Sequence, residues 1–227
     1  MQEHSKRYQA AVKDLNLDKI YTIDEALDLC KKTSTVKFDA SIEAHFRLGI
    51  DPQQTDQNVR FAVNLPAGTG KKKIIAAFVT SAKEKEAKAA GADIVGGEEL
   101  IKEIKQSEKI NFDVAIAEPG MMKSLALVAK ILGTKGKMPS PKTGTVTVDI
   151  QKSIKDILGG KVEVKSDAAG NLHQVIGKTS FNSEKLRQNF DALLTALKAA
   201  KPKTAKQEFI RSATLSTTMG PGFRLQL

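Results

Sequence analysis

The chain has 227 residues, room for one large domain or two modest ones, and 41% of them are hydrophobic, enough for a folded core. Aromatics make up only 5% and tryptophan is absent, so that core must be built from Val, Ile, Leu and Ala. The net charge of +10 calls for a polyanionic partner; no apolar run nears the roughly 18 residues a bilayer span needs and Met1 to Ala10 is too polar for a secretory signal, which favours nucleic acid over membrane.

In chain order, the first predicted element is a helix from about Ser5 to Leu15. A second starts at Thr22, where Thr22 and Glu25 have the spacing of a capping box, and runs through Ala26, Leu27 and Cys30. Cys30 is the single cysteine, so no internal disulfide can form, which fits a reducing cytoplasm. It shares a helical stripe with Ala26 and Leu27 and reads as a buried structural thiol rather than a nucleophile. The period then changes to two. Phe38, Ala40, Ile42, Ala44, Phe46, Leu48 and Ile50 alternate with Asp39, Ser41, Glu43, His45 and Arg47, the clearest strand in the sequence. Asp51-Pro52 through Asn58 is turn material. Val59, Phe61, Val63 and Leu65 alternate again, so these two strands are expected to pair as an antiparallel hairpin.

Pro66-Ala67-Gly68-Thr69-Gly70 interrupts the pattern, and the style changes after it. Ile74 to Val79 is a continuous apolar run, as in strands buried on both faces. A short Ala/Lys/Glu helix stops at Gly91, and Asp93-Ile94-Val95 is a short strand. Glu98 to Gln106 is a helix, and Phe112 to Ala117 another apolar strand. Pro119 suits a helix start, and that helix carries Leu125, Val128, Ala129 and Leu132. Val146-Thr147-Val148 is a strand beyond a long basic loop. Strands alternating with helices imply βαβ units and a parallel sheet. Near Gly159-Gly160 the half-polar alternation returns with Val162 and Val164. Asp167 to Asn171 is a turn and Leu172 to Phe181 the returning strand of a second hairpin. Asn182 or Ser183 caps a long helix carrying Leu186, Phe190, Leu193, Leu194 and Leu197, ended before Pro202. A last strand covers Glu208 to Thr218.

The simplest account is an α/β chain with an insertion. Residues 1–67 and 160–227 form a discontinuous α+β domain. Residues 68–159 form an inserted Rossmann-like α/β domain on two crossings, with Gly68, Gly70, Gly159 and Gly160 as a hinge. The plainer alternative is one continuous domain with those glycines as ordinary turns. The insert carries 16 lysines, no arginine and 11 carboxylates, and the remainder 20 basic and 15 acidic residues, so each part holds +5. Lysine suits phosphate contact without bidentate base reading.

Enzyme signatures are missing. Ala67 to Lys72 faintly resembles a phosphate loop, but Leu65 stands where the first glycine belongs and Lys72 where Ser or Thr should bind magnesium. No dinucleotide glycine signature stands between a strand and a helix. His4, His45 and His173 have no metal-spaced partners, so neither metal nor cofactor is expected. The polar strand face offers more. It presents Ser41, Glu43, His45 and Arg47, and the last strand adds Ser212, Thr214, Ser216 and Thr218. Small hydroxyls let an RNA backbone approach and bond phosphate and 2′-OH groups. The plainer reading is a solvated face with Thr chosen for strand propensity. The loop Gly133 to Gly144, with Lys135, Lys137 and Lys142, suits phosphate contact as well, against a plainer reading as a solvated loop.

Three motifs carry a resemblance over nearly the whole chain: Ala90-Gly91-Ala92-Asp93-Ile94-Val95-Gly96-Gly97-Glu98-Glu99-Leu100, Met138-Pro139-Ser140-Pro141-Lys142-Thr143-Gly144-Thr145-Val146, and Leu215-Ser216-Thr217-Thr218-Met219-Gly220-Pro221-Gly222. In order and spacing the chain resembles the L-one stalk family of bacterial large-subunit ribosomal proteins. The resemblance implies a split α+β domain carrying a Rossmann-like insert. It implies binding of the stalk segment of 23S rRNA near the exit site, help in releasing deacylated tRNA, and repression of the chain's own operon mRNA. The free protein is expected to be monomeric and cytoplasmic. It implies rRNA contacts at Lys37, Phe38, Ser41, Glu43 and His45, at Lys165, His173, Lys178 and Ser180, and at Ser212, Thr214, Ser216, Thr218, Met219 and Gly220. Phe38 has the parity of the buried face, so pattern alone would have it close the core. Relatives commonly read G-P-R-G-L-M-P-N-P-K in the insert loop; here Thr134, Lys135, Lys137 and Ser140 depart from that. Lysine keeps the charge and loses the planar fork. The rival readings are a small-molecule-binding α/β enzyme, which predicts a nucleotide that stabilises the insert, and a general nucleic-acid chaperone, which predicts binding set by salt and not by sequence.

Overall fold

Local rules set the elements. The Thr22 hydroxyl accepts the Glu25 amide and the Glu25 carboxylate accepts the Thr22 amide, the reciprocal cap that the sequence predicts. The computed structural model describes residues 5–13, 15–16, 18–205 and 208–226; His4 lies outside them. The chain parts into two compact units, one made of the chain up to Gly70 and from Val162 on, the other of Lys71–Lys161. The elements run α1 (Lys6–Val12), β1 (Ile20–Tyr21), α2 (Ile23–Thr33), β2 (Ser41–Leu48), β3 (Arg60–Asn64), β4 (Ile75–Phe78), α3 (Glu84–Ala89), β5 (Ile94–Gly96), α4 (Glu98–Ser107), β6 (Val114–Ala117), α5 (Met122–Leu125), α6 (Ala129–Thr134), α7 (Ile150–Leu158), β7 (Lys161–Lys165), β8 (Asn171–Lys178), α8 (Ser183–Ala199), β9 (Ile210–Thr217) and β10 (Gly222–Leu225). The class is mixed α/β, as predicted.

In the first unit, a five-stranded sheet has the order β1-β10-β9-β2-β8, and β3 pairs with β7 in a second, two-stranded sheet. The expected hairpin of β2 with β3 is therefore corrected: β2 lies between β8 and β9, antiparallel to both. Alternation reports which face a strand buries, not which strand it meets. The second hairpin is corrected as well. Its turn forms, with the Asp167 carboxylate accepting the Ala169 and Asn171 amides at 2.9 and 2.7 Å. The strands then part, β7 to β3 and β8 to β2, and share only a bridge at Ser166 and Leu172. Both short strands at the sheet's far edge, β1 and β10, go beyond the predicted elements. The core joins α2 and α8 to the apolar sheet face: Leu27, Phe46, Phe190 and Phe223 are buried, and the Phe46 and Phe190 rings stack at 5.9 Å. Each such side chain contributes roughly 1.5–3 kcal/mol. Cys30 is fully buried among them, and burial pushes its thiol up to about 12.

In the second unit, β4 lies between β5 and β6, parallel to both. All four residues of β4 are buried. Phe112, Leu125 and Leu132 cover one face, and Ile150, Ile154 and Ile157 the other. Those three isoleucines belong to α7, a helix that follows the sequence's own cap at Asp149 but was not among the predicted elements. The predicted strand at Val146 to Val148 reduces to one bridge with Ala117. The single helix predicted after Pro119 is broken into α5 and α6 by a 3-10 turn at Ala126–Val128, which steps the buried stripe from Leu125 to Val128. Among the described residues no helix is long and apolar enough to cross a membrane.

Thr217 yields a stability prediction. It ends β9 with its side chain on the buried face, and its Oγ1 has no hydrogen-bond partner among the described residues. Thr217→Val keeps the shape and removes a desolvated hydroxyl, so it should stabilise the protein by about 1 kcal/mol. Urea denaturation checks this, and a lower midpoint would show that the hydroxyl is satisfied.

Candidate nucleic-acid interface

The polar face of the five-stranded sheet is built by register. Ser41 lies opposite Lys178; Glu43 opposite Ser216 and Val175; His45 opposite Thr214 and His173; Arg47 opposite Ser212 and Asn171. Side chains paired across an antiparallel ladder share a face, so these residues converge. His173 and Lys178 differ in parity, yet both lie here. A bulge reconciles them: Ile42 is opposite Gly177 and Glu43 opposite Val175, which leaves Ile176 as an extra residue.

One end of the face is tied together by side chains. Lys178 Nζ donates to Ser41 Oγ at 2.9 Å and to the Asp39 carbonyl at 3.4 Å. The Thr218 amide donates to the Ser41 carbonyl at 3.0 Å, and Thr218 Oγ1 accepts the Ser41 amide at 3.1 Å. Asp39 accepts from Ser180 Oγ at 2.8 Å and from Thr179 Oγ1 at 2.9 Å. These bonds, the Ser180 hydroxyl foremost, hold the Asp39 carboxyl below its usual range. Met219 follows in a left-handed conformation (φ 66°) with its thioether exposed, and Arg7 of α1 donates to its carbonyl at 2.8 Å. Phe38 is 56% exposed. It precedes β2, where strand parity no longer applies, so the core-closing role that pattern assigned to it is corrected. Lys37 is exposed beside it.

Across the middle of the face runs a chain of polar groups. His173 Nε2 is 3.6 Å from Asp167, His173 Nδ1 is 2.8 Å from His45 Nδ1, and His45 Nε2 is 2.8 Å from Ser216 Oγ. Two nitrogens that close share one proton, so the pair cannot hold both imidazoliums in this geometry. Burial and the neighbouring His173 lower the His45 pKa below its ordinary 6.5, while Glu43 opposes the shift. A histidine depressed in the folded state gives stability that is present above about pH 6.5 and is lost as pH falls through the folded value. Thermal stability should therefore drop on acidification below pH 6.5, and His45→Gln should flatten that part of the profile. An unchanged slope in the variant would place the titration elsewhere.

The sequence-predicted residues divide in their placement. Ser41, Glu43, His45, His173, Lys178, Ser212, Thr214, Ser216 and Thr218 come together on the sheet face or its end, with Ser180, Met219 and Gly220 in the turns beside it. Lys165 stands apart on β7, in the two-stranded sheet. Arg7, Asp39 and Asp167 support the site and were not singled out by sequence reasoning. Arg7 lies 212 positions from Met219, and no sequence signal could have paired them. In the second unit the loop Gly133 to Gly144 is not the free basic loop expected. Lys135 Nζ donates to the Glu108 carbonyl at 3.3 Å, and Lys137 Nζ donates to the Phe112 carbonyl and sits over its ring. Lys142 stays exposed on a 3-10 turn. Of the expected hinge glycines, Gly68, Gly70 and Gly160 have positive φ, while Gly159 (φ −72°) closes α7. Among the described residues no group of three or more His, Cys, Asp or Glu is arranged to hold a metal ion.

Comparison with known proteins gives this geometry its context. The model of the ribosomal protein L1p/L10e family matches residues 30–221. The chain is 50% identical, over the full length of both chains, to the large ribosomal subunit protein uL1 of Mycoplasma capricolum subsp. capricolum, and equally so to that of Mycoplasma mycoides subsp. mycoides. It is 48% identical, again over the whole of both chains, to that of Mesoplasma florum. A match of this extent, over both units and the whole polar face, settles the kinship: the chain belongs to the ribosomal protein L1p/L10e family.

Proposed function

We propose that the protein is an rRNA-binding constituent of the large ribosomal subunit in the cytoplasm, and that the polar sheet face holds the stalk segment of 23S rRNA. The observation that carries this is the convergence of Ser41, Lys178, Thr218 and Met219 at one end of the sheet, beside an exposed Phe38. A cation and several hydroxyls serve phosphate and 2′-OH groups, and an exposed aromatic ring serves a base. Lys37, Glu43, His45, His173, Ser180, Ser212, Thr214, Ser216 and Gly220 line or frame the same contact, with Lys165 reached only by an RNA long enough to leave the sheet. Family kinship to proteins named for the large subunit supports the same reading.

Finer roles follow from it. The second unit meets E-site tRNA through the lysines of its basic loop, Lys135, Lys137 and Lys142. Gly70 and Gly160, both at positive φ, let the two crossings move during tRNA release, while Gly68, bonded to Asn189, anchors the start of the first crossing. The protein represses its own operon mRNA where that message copies the stalk fold. Enzymatic use of the insert is disfavoured by its crevice. At the C-terminal ends of β4 and β6, where such sheets take ligands, Glu118 bonds Thr80 and pairs with Lys83 at 3.0 Å. That ion pair leaves neither charge free for a nucleotide's phosphate.

Titration of the labelled stalk segment tests the reading. Thr218→Ala and Met219→Ala should each weaken binding by ~1 kcal/mol or more, because a hydroxyl and a thioether are desolvated in the complex. Unchanged affinity with intact folding would remove both from the contact.

A further inference from the structure

Asn189 lies on α8, fully buried, on the side of the sheet away from the polar face. Its Nδ2 donates to the Ile176 carbonyl at 2.7 Å and to the Gly68 carbonyl at 2.8 Å, and its Oδ1 accepts the Ala67 amide at 3.0 Å. Two carbonyls at one end and an amide N–H at the other fix which end is nitrogen. Ile176 is the extra residue of the β8 bulge. A bulge leaves its extra residue outside the ladder, so the Ile176 carbonyl needs a partner from elsewhere. Asn189 is that partner.

The bulge decides where Lys178 lies. Without it Gly177 would stand opposite Ser41, and Lys178 would move one position along with the parity of the buried face. The chain leaving β3 adds a second support. Asn189 pins Ala67 and Gly68, and two residues on, Gly70 lies under the Lys178 stem: a Cβ there would come within 2.8 Å of Lys178 Cγ and 3.1 Å of the Phe181 ring. We infer that Asn189, by holding the bulge and the Ala67–Gly70 segment together from the buried side, is a positioning residue that aims Lys178 at the RNA. This rests on the reading of the polar face as the rRNA site.

The test uses the full chain, the stalk segment of 23S rRNA and a series of salt concentrations. Lys178→Ala should weaken binding about 10-fold and reduce the log–log salt slope by about one released counterion. Asn189→Ala should do the same although it touches no RNA. The double variant should be about 10-fold weaker than the unaltered chain and not about 100-fold, because the two changes act on one and the same interaction. Gly70→Ala, at an exposed position that leaves Asn189 in place, should show the same loss and the same non-additivity. If Asn189→Ala does not fold, Asn189→Ser decides the matter: it keeps a polar group but cannot span the Ile176 carbonyl and the Ala67 amide, so it should show the same loss and the same non-additivity with Lys178→Ala. Folded variants with unaltered affinity and salt slope, or losses that multiply with Lys178→Ala, would overturn the inference and leave the site reading standing. Failure of the unaltered chain to bind the segment would overturn both.

Discussion

Phe38→Ala weakens binding of the stalk rRNA segment by about 1–3 kcal/mol and leaves the unfolding midpoint where it was. That is the expected result of removing an aromatic ring on which a base stacks. The ring is 56% exposed and precedes β2, so the folded protein alone gives it little burial to lose. Its neighbours are fixed. Asp39, next in the chain, accepts three bonds from Thr179 and Ser180. Lys178 bonds the carbonyl of that same residue. The backbone that carries Phe38 is thus held before RNA arrives, and the cost of ordering it on binding is small. Phe38→Leu separates stacking from greasiness: it should recover only a minor part of the loss. A Phe38→Ala variant that unfolds more readily but binds normally would return the ring to the core-closing role its parity suggests.

The second large effect is expected at Gly220. A Cβ there would come within 2.1 Å of Thr217 Oγ1. Thr217 is buried and β-branched, so its side chain has few rotamers into which it can retreat. The turn must move instead, and it carries Met219 at positive φ with its carbonyl held by Arg7. Gly220→Ala should therefore cost about 1–3 kcal/mol of stability. It should also cost about 2 kcal/mol of rRNA affinity, because the displaced turn takes both Thr218 and Met219 out of the contact, at ~1 kcal/mol each. Thr217→Ala removes the atom that clashes; the next atoms met are then 3.4 Å away or more. The double variant should regain most of the binding, and a double variant as weak as Gly220→Ala would show that the glycine serves RNA approach and not the turn.

Much of this was legible in the sequence. Period two from Phe38 to Ile50 revealed the central strand and its polar face, and the Thr22–Glu25 spacing gave a helix start to the residue. The even-numbered hydroxyls of the last strand do share a face with His45. What the sequence withheld was pairing. Alternation at Val59 to Leu65 could not say that β3 belongs with β7. Parity placed His173 and Lys178 on opposite faces, and only the bulge at Ile176 brings them together. The His45–His173 contact joins residues 128 positions apart, and histidine spacing along the chain cannot reveal it. Charge counting nominated Lys135 and Lys137 and had no means of showing that each bonds a backbone carbonyl of its own unit. The short strands β1 and β10 fell below the length at which a period can be read, and α7 escaped although Asp149 and the isoleucine stripe encode it.

The proposed contact is between one sheet face and a particular rRNA fold. A competition experiment at physiological salt tests it most directly: labelled stalk segment of 23S rRNA is displaced from the protein by unlabelled stalk segment or by a scrambled RNA of equal length and composition. Sequence-independent charge attraction is common to both competitors, so the difference isolates recognition. The structure predicts that the stalk segment competes at least about 100-fold better, a modest value for a specific nucleic-acid site. Equal competition by the scrambled RNA would contradict it and leave only a basic protein that binds any polyanion.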